Sequence, residues 1–488
     1  MEDEIFSAID LPCGRKVQNR LVKVALYEHL AGFLGGPPNK YHLTLYSTWA
    51  QNGWGMIITG NVQVSDTHLT LGRDMVVPAE LNEAALEFYR KLASSIHKGD
   101  GTLAIMQLSH AGRQSSNFIG GRLPFVPPLG PSAIPVAQGA SGLLSWLFHR
   151  LLFTTPRAMT SSDVERTITG FVRGAELAIH SGFDGVQLHV AHGYLLAQFL
   201  SPKSNIRTDA YAVHTLTLLQ RITTEIRKIA PPGFVLGIKL NSTDYSTVEG
   251  SDVQEERALG HLMTIASWGL VDFIEVSGGD YENPDFMTSG RNSSRQAFFA
   301  SFSSKAVKAL SEVPAHSRPL ILLTGGLRSP GHLQTALSSK HADLLGVGRA
   351  SILSPDLPRV LQTRLEMEGE EQSFSPFQPD PTTDLDFAHV WPWSWVWPYV
   401  PKIKLVGGGV QMAWYVIAIR ELASRRGRDD YRPDYSLGGL GAVVKMWTWC
   451  PSDPSLSWLK NAAVLCLLAC LGVLGGFVSV SFARPAPS

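Results

Sequence analysis

The amino-acid sequence predicts an α/β fold of the (β/α)8 TIM-barrel type, with a C-terminal extension and a terminal transmembrane helix. Three observations lead to this prediction. Short apolar runs recur as far as residue 348, and they are almost continuously hydrophobic, as are parallel strands covered on both faces. Helical patterns separate these runs, and eightfold strand–helix alternation is typical of such a barrel. An uncharged apolar run near the end of the chain is long enough to cross a bilayer as a helix.

Eight strands are predicted, with helical stretches between them. The strands are Leu21–Leu26, Gly55–Gly60, Leu103–Leu108, Gly185–His189, Val235–Leu240, Phe273–Ser277, Leu320–Thr324 and Leu344–Gly348. The clearest helical patterns are Glu80–Lys98, Asp163–His180, Leu216–Ile229, Val253–Trp268 and Ser304–Leu310. A doubly wound open sheet is the alternative, but it requires a glycine-rich dinucleotide turn after an early strand, and we find none.

The chain divides into three predicted regions. Residues 1–365 form the barrel, residues 366–458 hold a linker, a Trp-rich segment and a tail, and residues 459–483 form the transmembrane helix. The run Ala462–Ala483 carries no charge and lies between Lys460 and Arg484, which suit the two interfaces of a bilayer. A buried helix of the soluble domain is the other interpretation of this run.

Composition excludes several classes of function. Among 488 residues, 44% are hydrophobic and 17% charged, which is enough apolar material for a large core. The net charge is zero, so nothing favours binding to nucleic acid. The four cysteines show no metal-finger spacing and suit a reducing compartment. The first residues lack the apolar stretch of a secretory signal.

The strongest chemical signal follows the fourth predicted strand. That strand ends at His189, and His192 and Tyr194 come three and five residues later. Catalytic groups stand at the carboxyl ends of barrel strands. Two imidazoles there can donate hydrogen bonds to one carbonyl or nitro oxygen, and a tyrosine hydroxyl can supply a proton. A core histidine and a two-histidine metal site are the alternatives, and the second lacks a nearby carboxylate.

A Pro- and Gly-rich stretch, Gly120–Pro156, interrupts the alternation and contains an apolar patch, Gly142–Phe153. A lid over the active site and a second membrane contact are two interpretations of this patch. We favour a third, in which the loop simply packs onto the barrel.

The residues around this signal resemble the Old Yellow Enzyme family of NADH:flavin oxidoreductases. The central match is Gly182–Pro202, and it continues into Asn205–Tyr211. Further motifs occur in the order of the family: Asn19-Arg20, Gly55–Asn61, Gln107–Arg113, Gly237–Asn241, Ile274–Gly279, Thr324–Gly326 and Gly346–Arg349. The resemblance covers roughly residues 5–365, with a weaker family-like tail at Gly407–Leu422.

The resemblance implies FMN, bound without a covalent link at the barrel mouth, with NAD(P)H as electron donor. Gly325, Gly326, Gly348 and Arg349 would hold the phosphate, since glycines expose backbone N–H groups and arginine adds charge. Gln107 would pair with the flavin pyrimidine, and Lys239 would place positive charge near flavin N1 and C2=O. A surface position for Lys239 is the weaker alternative, because it lies inside an apolar strand. The remaining contacts would come from Ala25, Tyr27 and Gly60.

The activity implied is reduction of the activated C=C bond of an α,β-unsaturated carbonyl compound. His189 and His192 would hold the substrate oxygen and Tyr194 would give the proton. An apolar enone of secondary metabolism is the expected substrate. A flavin-assisted isomerase or desaturase and a degenerate, non-catalytic flavin-binding barrel tethered to a membrane are the alternatives.

The sequence departs from the family pattern in three places. Tyr27 stands where relatives usually have a small Thr or Cys. A Gly-Gly-Ser run is absent after Tyr211, which leaves the start of the next helix undefined. The terminal apolar run is an addition, and it predicts a tail-anchored protein in contact with the lipid bilayer, with its barrel in the cytosol and the endoplasmic reticulum as one address. The oligomeric state is left open.

Overall fold

The computed structural model describes residues 4–136, 143–242, 251–278, 293–366, 376–383, 404–424 and 431–449. All eight predicted barrel strands are present, with ends that differ by a few residues. They are β1 (Leu21–Lys23), β2 (Met56–Gln63), β3 (Leu103–Ser109), β4 (Gly185–Val190), β5 (Val235–Asn241), β6 (Phe273–Ser277), β7 (Leu320–Thr324) and β8 (Leu344–Val347).

The strands are parallel and form a closed barrel. Each pairs with the next along the chain, and β1 pairs with both β8 and β2. This closure excludes the open doubly wound sheet and confirms the predicted barrel. Because the strands are parallel, their carboxyl ends meet at one rim, where side chains from distant parts of the sequence come together.

The barrel interior changes from apolar to polar toward that rim. Its lower part is filled by apolar side chains, among them Val22, Ile105 and Phe273. The Phe273 ring occupies the space opposite Gly237, where a Cβ atom would lie 2.2 Å from the ring. Two residues further along the same strands the inward positions are Lys239 and Glu275, so the upper layer is polar.

Eight helices follow the strands and cover the outside of the barrel. They are α1 (Lys40–Ala50), α2 (Glu83–Ile96), α3 (Ser161–His180), α4 (Thr217–Ile229), α5 (Ser251–Ser267), α6 (Ser293–Leu310), α7 (Pro330–Ser338) and α8 (Leu357–Glu366). The start of α4, which the absent Gly-Gly-Ser run left undefined, lies at Thr217. The residue before this helix, Leu216, is buried in a left-handed conformation with a φ of 50°, and its side chain caps no backbone group.

Shorter elements and two further helices complete the described residues. The short helices are Leu143–Leu152, Leu195–Leu200 and Ala350–Leu353, with a 3-10 turn at Gly112–Gln114. The short strands are Ile9–Asp10, Lys16–Val17, Met75–Val76, Leu129–Gly130 and Arg157–Ala158. Two C-terminal helices, α9 (Lys404–Ser424) and α10 (Gly439–Trp447), pack on each other, and α9 also packs on α1.

Within the described residues no helix combines the length and the apolar character needed to cross a bilayer. The predicted membrane run at residues 462–483 and the Trp-rich segment at residues 391–399 lie outside the described residues.

Candidate active site at the barrel mouth

His189 is the centre of the predicted chemical site, and both partners predicted from sequence contact it. The His192 ring lies 5.1 Å from the His189 ring between centroids, and His189 Nε2 is hydrogen-bonded to His192 Nδ1 at 3.1 Å. The Tyr194 ring meets the His189 ring edge-on, with the centroids 4.6 Å apart. The structure therefore brings these three side chains together at the end of β4.

The other nitrogen of His189 is held by Asn61, which sequence reasoning did not assign to the site. His189 Nδ1 lies 2.8 Å from Asn61 Oδ1. Strict alternation along β2 would place Asn61 on the outer face, because Ile58 points inward. An irregular register between Ile58 and Asn61 turns Asn61 inward instead.

The Asn61 amide controls which His189 nitrogen carries the proton. With its oxygen toward Nδ1, the neutral ring carries its proton on Nδ1 and offers Nε2 as an acceptor. Rotating the amide by half a turn presents the NH2 group instead, and the ring proton then belongs on Nε2. In that second state Nε2 can donate a hydrogen bond into the mouth.

His192 occupies a strained backbone position at the turn after β4. Its φ is 57°, a left-handed value that is uncommon outside glycine. Its N–H donates to Asn241 Oδ1 at 3.1 Å, and its carbonyl accepts from Gln114 Nε2 at 2.8 Å. Ser277 Oγ lies 2.9 Å from His192 Nε2. These contacts with the ends of β5 and β6 and with the 3-10 turn after β3 fix a conformation that the residue alone disfavours.

Burial keeps His189 uncharged. It lowers the pKa of His189 well below its ordinary value, and the positive charge of Lys239 lowers it further. A neutral imidazole is a hydrogen-bond donor and acceptor rather than an acid at physiological pH.

The predicted flavin-binding side chains Gln107 and Lys239 both lie in the polar upper layer of the barrel. Gln107 Nε2 donates to Gln187 Oε1 at 2.6 Å. Lys239 Nζ lies 2.9 Å from Glu275 Oε1, and both side chains of this ion pair are almost wholly buried. Lys239 is thus an inward-facing, paired cation, and the surface alternative for it is wrong.

The predicted phosphate corner lies at the ends of β7 and β8. Gly325 and Gly326 have φ values of 109° and 74°, which side chains rarely permit, so this turn exposes bare backbone. A Cβ atom on Gly348 would meet only the side chains of Leu26 and Val24, at 3.6 and 3.7 Å. The Arg349 guanidinium lies 5.8 Å from the ring of Tyr415 on α9.

Two other predicted contact residues are engaged elsewhere. The N–H of Gly60 donates to Glu28 Oε1 at 3.0 Å and to the Tyr46 hydroxyl at 2.8 Å, on the outer side of the barrel wall. The Tyr27 hydroxyl lies 3.4 Å from Asp74 Oδ2 and accepts from the N–H of Arg73 at 3.3 Å. Ala25 is half-buried beside the apolar interior.

The long loop packs onto the site through part of its length. Val136 and Phe153 are buried together with Ala111 and Tyr194, so the loop covers the proton-donor candidate. The helix within the loop leaves Trp146, Leu147 and Leu151 exposed. Residues 137–142 lie outside the described residues.

A separate cleft of about 790 Å³ opens between the amino-terminal ends of α2 and α3. Its lining includes Phe88, Arg157, Arg166, His68 and His110, and none of the predicted site residues. Over the described part of the chain, no group of three or more His, Cys, Asp or Glu side chains is placed to hold a metal ion.

A barrel mouth with two imidazoles, an amide, a buried cation and a bare glycine corner has the groups that a flavin and a substrate oxygen require. This defines the class as a flavin-dependent oxidoreductase. Residues 4–368 match the model of the NADH:flavin oxidoreductase / NADH oxidase family, and the chain belongs to that family.

Sequence relatives agree with this assignment. The chain is 40% identical over 366 residues to the NADH-dependent flavin oxidoreductase iliE of Neonectria sp. (strain DH2). That match covers 72% of this chain but only 46% of the relative. The NADH-dependent flavin oxidoreductase iccE of Talaromyces variabilis is 33% identical over 435 residues, which cover 86% of this chain and 98% of the relative.

Two solved structures share the fold. An old yellow enzyme homologue from Zymomonas mobilis has a TM-score of 0.57 and 21% identity, over 75% of this chain and 94% of the other. Morphinone reductase has a TM-score of 0.58 and 20% identity, over 74% of this chain and 89% of the other. At these identities the likeness shows the fold alone.

The residues present fit FMN, the cofactor of the family. The two positive-φ glycines form a corner that a phosphate can approach, because neither residue carries a side chain of its own. Gln107 and Lys239 supply an amide and a cation in the polar layer below.

Proposed function

We propose that the protein reduces the activated C=C bond of an α,β-unsaturated carbonyl compound with electrons from NAD(P)H. The observation that carries the proposal is the contact of His189 with both His192 and Tyr194. A hydrogen-bonding pair and a phenol on one side of a barrel mouth suit a substrate that needs an oxygen anchor and a proton.

His189 and His192 anchor the substrate oxygen in this proposal. His192 Nδ1 and His189 Nε2 face each other, so an oxygen entering between them can replace their mutual hydrogen bond. Such donors stabilise the negative charge that develops on the oxygen in the transition state. When the Asn61 amide turns its NH2 group toward Nδ1, neutral His189 carries its proton on Nε2 and can donate a hydrogen bond to that oxygen.

Tyr194 gives its hydroxyl proton to the α-carbon. The residue is buried, and Val136 and Phe153 pack beside it, which limits access of bulk water. Exclusion of water favours transfer from a positioned side chain over transfer from solvent.

FMN, when bound, would supply the hydride for the β-carbon, with NAD(P)H as the source of electrons. The two relatives named above are NADH-dependent, so NADH is the first donor to test.

Anaerobic stopped-flow absorbance of the flavin tests the proposal in two halves. NADH should bleach the flavin, and a cyclic enone should restore its colour. Tyr194→Phe should slow the second half at least about 100-fold, in the range expected for loss of a general acid, and leave the first half nearly unchanged. Tyr211→Phe, which alters a phenol bonded to Arg221 away from the mouth, is the matched control.

Equal slowing of both halves by Tyr194→Phe would remove the proton-donor role. A flavin that bleaches but is not reoxidised by enones would favour another acceptor, or an isomerase.

For the substrate, we propose an apolar enone of secondary metabolism, since the exposed Trp146, Leu147 and Leu151 give the loop beside the mouth an apolar surface.

We also propose that residues 462–483 anchor the chain to a membrane with the barrel in the cytosol. Fractionation of the full chain against a chain ending at residue 458 tests this. Equal membrane partitioning of the two would exclude the anchor.

A further inference from the structure

One buried carboxylate, Glu275, organises the polar layer of the barrel mouth. Its side chain is fully buried, and it lies directly across from Lys239, its register partner on the neighbouring strand. Glu275 Oε1 accepts from Thr324 Oγ1 at 2.9 Å as well as pairing with Lys239. Glu275 Oε2 accepts from Gln187 Nε2 at 2.8 Å. Four neighbouring strands therefore meet on one acidic group.

The charge of Glu275 dictates how two glutamines are oriented. An ionised carboxylate only accepts hydrogen bonds, so Gln187 must turn its NH2 group toward it. The Gln187 oxygen then faces Gln107, and Gln107 must donate in turn. This leaves the Gln107 oxygen as the acceptor that the side chain can offer to a ligand.

The same charge offsets that of Lys239. A lysine alone beside a flavin would favour the anionic reduced form strongly over the neutral oxidised form. At 2.9 Å, the Glu275 carboxylate cancels much of that field.

We propose that Glu275 is a positioning residue for the flavin, which lowers its reduction potential by neutralising Lys239 and sets the hydrogen-bonding sense of Gln107 through Gln187. The inference rests on FMN and on the predicted place of Lys239. It does not rest on the substrate or on the proton donor, so the enone reaction and this role can fail independently.

The test is the midpoint potential of the FMN-loaded protein, measured by anaerobic equilibration with a reference dye. Glu275→Gln should shift the potential to a more positive value. We expect about tenfold tighter binding of reduced relative to oxidised FMN, which corresponds to about 30 mV for a two-electron couple. Glu255→Gln, which removes the acid of an ion pair with Lys305 on the helical layer, is the matched control and should leave the potential unchanged.

Gln187→Leu separates the two parts of the role. It breaks the link between Glu275 and Gln107 without changing any charge. FMN fluorescence titration should show weaker binding of both redox states by a similar factor, with no shift of potential.

A second background protects the test against misfolding. In a Lys239→Met protein, adding Glu275→Gln removes an unpaired buried carboxylate, so the double variant should unfold at higher urea than the single one. An unchanged or more negative potential on Glu275→Gln would overturn the proposal, as would a folded Glu275→Gln protein that no longer binds FMN in either state.

Discussion

Two buried lysines stand on opposite faces of the barrel wall, and their surroundings differ in kind. Lys23 on β1 points outward to α1, where its ammonium lies 4.0 Å from the ring centre of Trp49 and donates to the Ile58 carbonyl at 3.3 Å. Lys239 on β5 points into the mouth and pairs with Glu275 at 2.9 Å. Each has a buried glutamate nearby, which is Glu28 in the first case.

The outer lysine is poorly stabilised as a cation. Burial lowers the pKa of Lys23 to about 7, although the attraction of Glu28 opposes this. Burial also raises the pKa of Glu28. The inner lysine instead touches a carboxylate that two further donors, Thr324 and Gln187, support. The comparison teaches that a glutamate buried nearby stabilises a lysine poorly as a cation, whereas a carboxylate in direct contact with the ammonium forms an ion pair with it.

Removing the inner lysine should have the largest effect on stability. Lys239→Met leaves Glu275 buried without its cation, which costs about 3–5 kcal/mol. Urea unfolding at pH 7 measures this loss, and absorbance of the purified protein measures the loss of FMN expected with it.

Lys305→Met is the control for this prediction, because its partner Glu255 lies on the helical layer and the lysine is exposed. It should change stability by less than about 1 kcal/mol. If the two variants unfolded at the same urea concentration, the contrast between the buried and the exposed ion pair would be lost.

On the outer face of the barrel wall, we expect stability to depend on close packing more than on charge, and Gly60→Ala tests this. A Cβ atom at this position would lie 1.9 Å from Glu28 Oε2 and 2.4 Å from the Leu26 carbonyl oxygen. We expect a loss of about 1–3 kcal/mol from this overpacking, measured by urea unfolding.

Gly260→Ala is the matched change, since this exposed helical glycine has no neighbouring atom within 4 Å of the added Cβ. It should stabilise the protein by about 0.5–1 kcal/mol. A Gly60→Ala protein as stable as the wild type would mean that Glu28 moves away at little cost.

Much of the fold and the centre of the site were predictable from the sequence. Eight apolar runs that alternate with helical patterns predicted the barrel, because hydrophobic periodicity reflects burial directly. His189, His192 and Tyr194 were predictable as a group because they lie within six residues and follow one strand.

The contacts that complete the site were not predictable, because they depend on pairing between strands that are distant in the sequence. Glu275 lies in a motif that was recognised, yet its contact with Lys239 requires the register of β5 on β6. The irregular register of β2 on β3 turns Asn61 into the barrel and Gly60 toward its outer side. Simple alternation along the strand predicts the opposite.

The smallest expected effect concerns the charge on Lys23 and appears only as pH changes. The folded-state pKa is near 7 and the ordinary value is 10.5, so between these values the unfolded chain binds a proton that the folded protein does not. Stability therefore rises with pH in this window, by at most about 1.4 kcal/mol per pH unit from this group.

Urea midpoints at pH 7, 8 and 9 measure the slope. Lys23→Met should fold about as well as the wild type at pH 7, since a side chain of similar volume replaces a weakly held charge, and should lose this rise. Lys228 is an exposed lysine on α4 that pairs with Glu225, so Lys228→Met should keep the rise of stability with pH. If Lys23→Met retained the full slope, the pH dependence would belong to another group, and Lys23 would be held in the barrel wall as a charged residue.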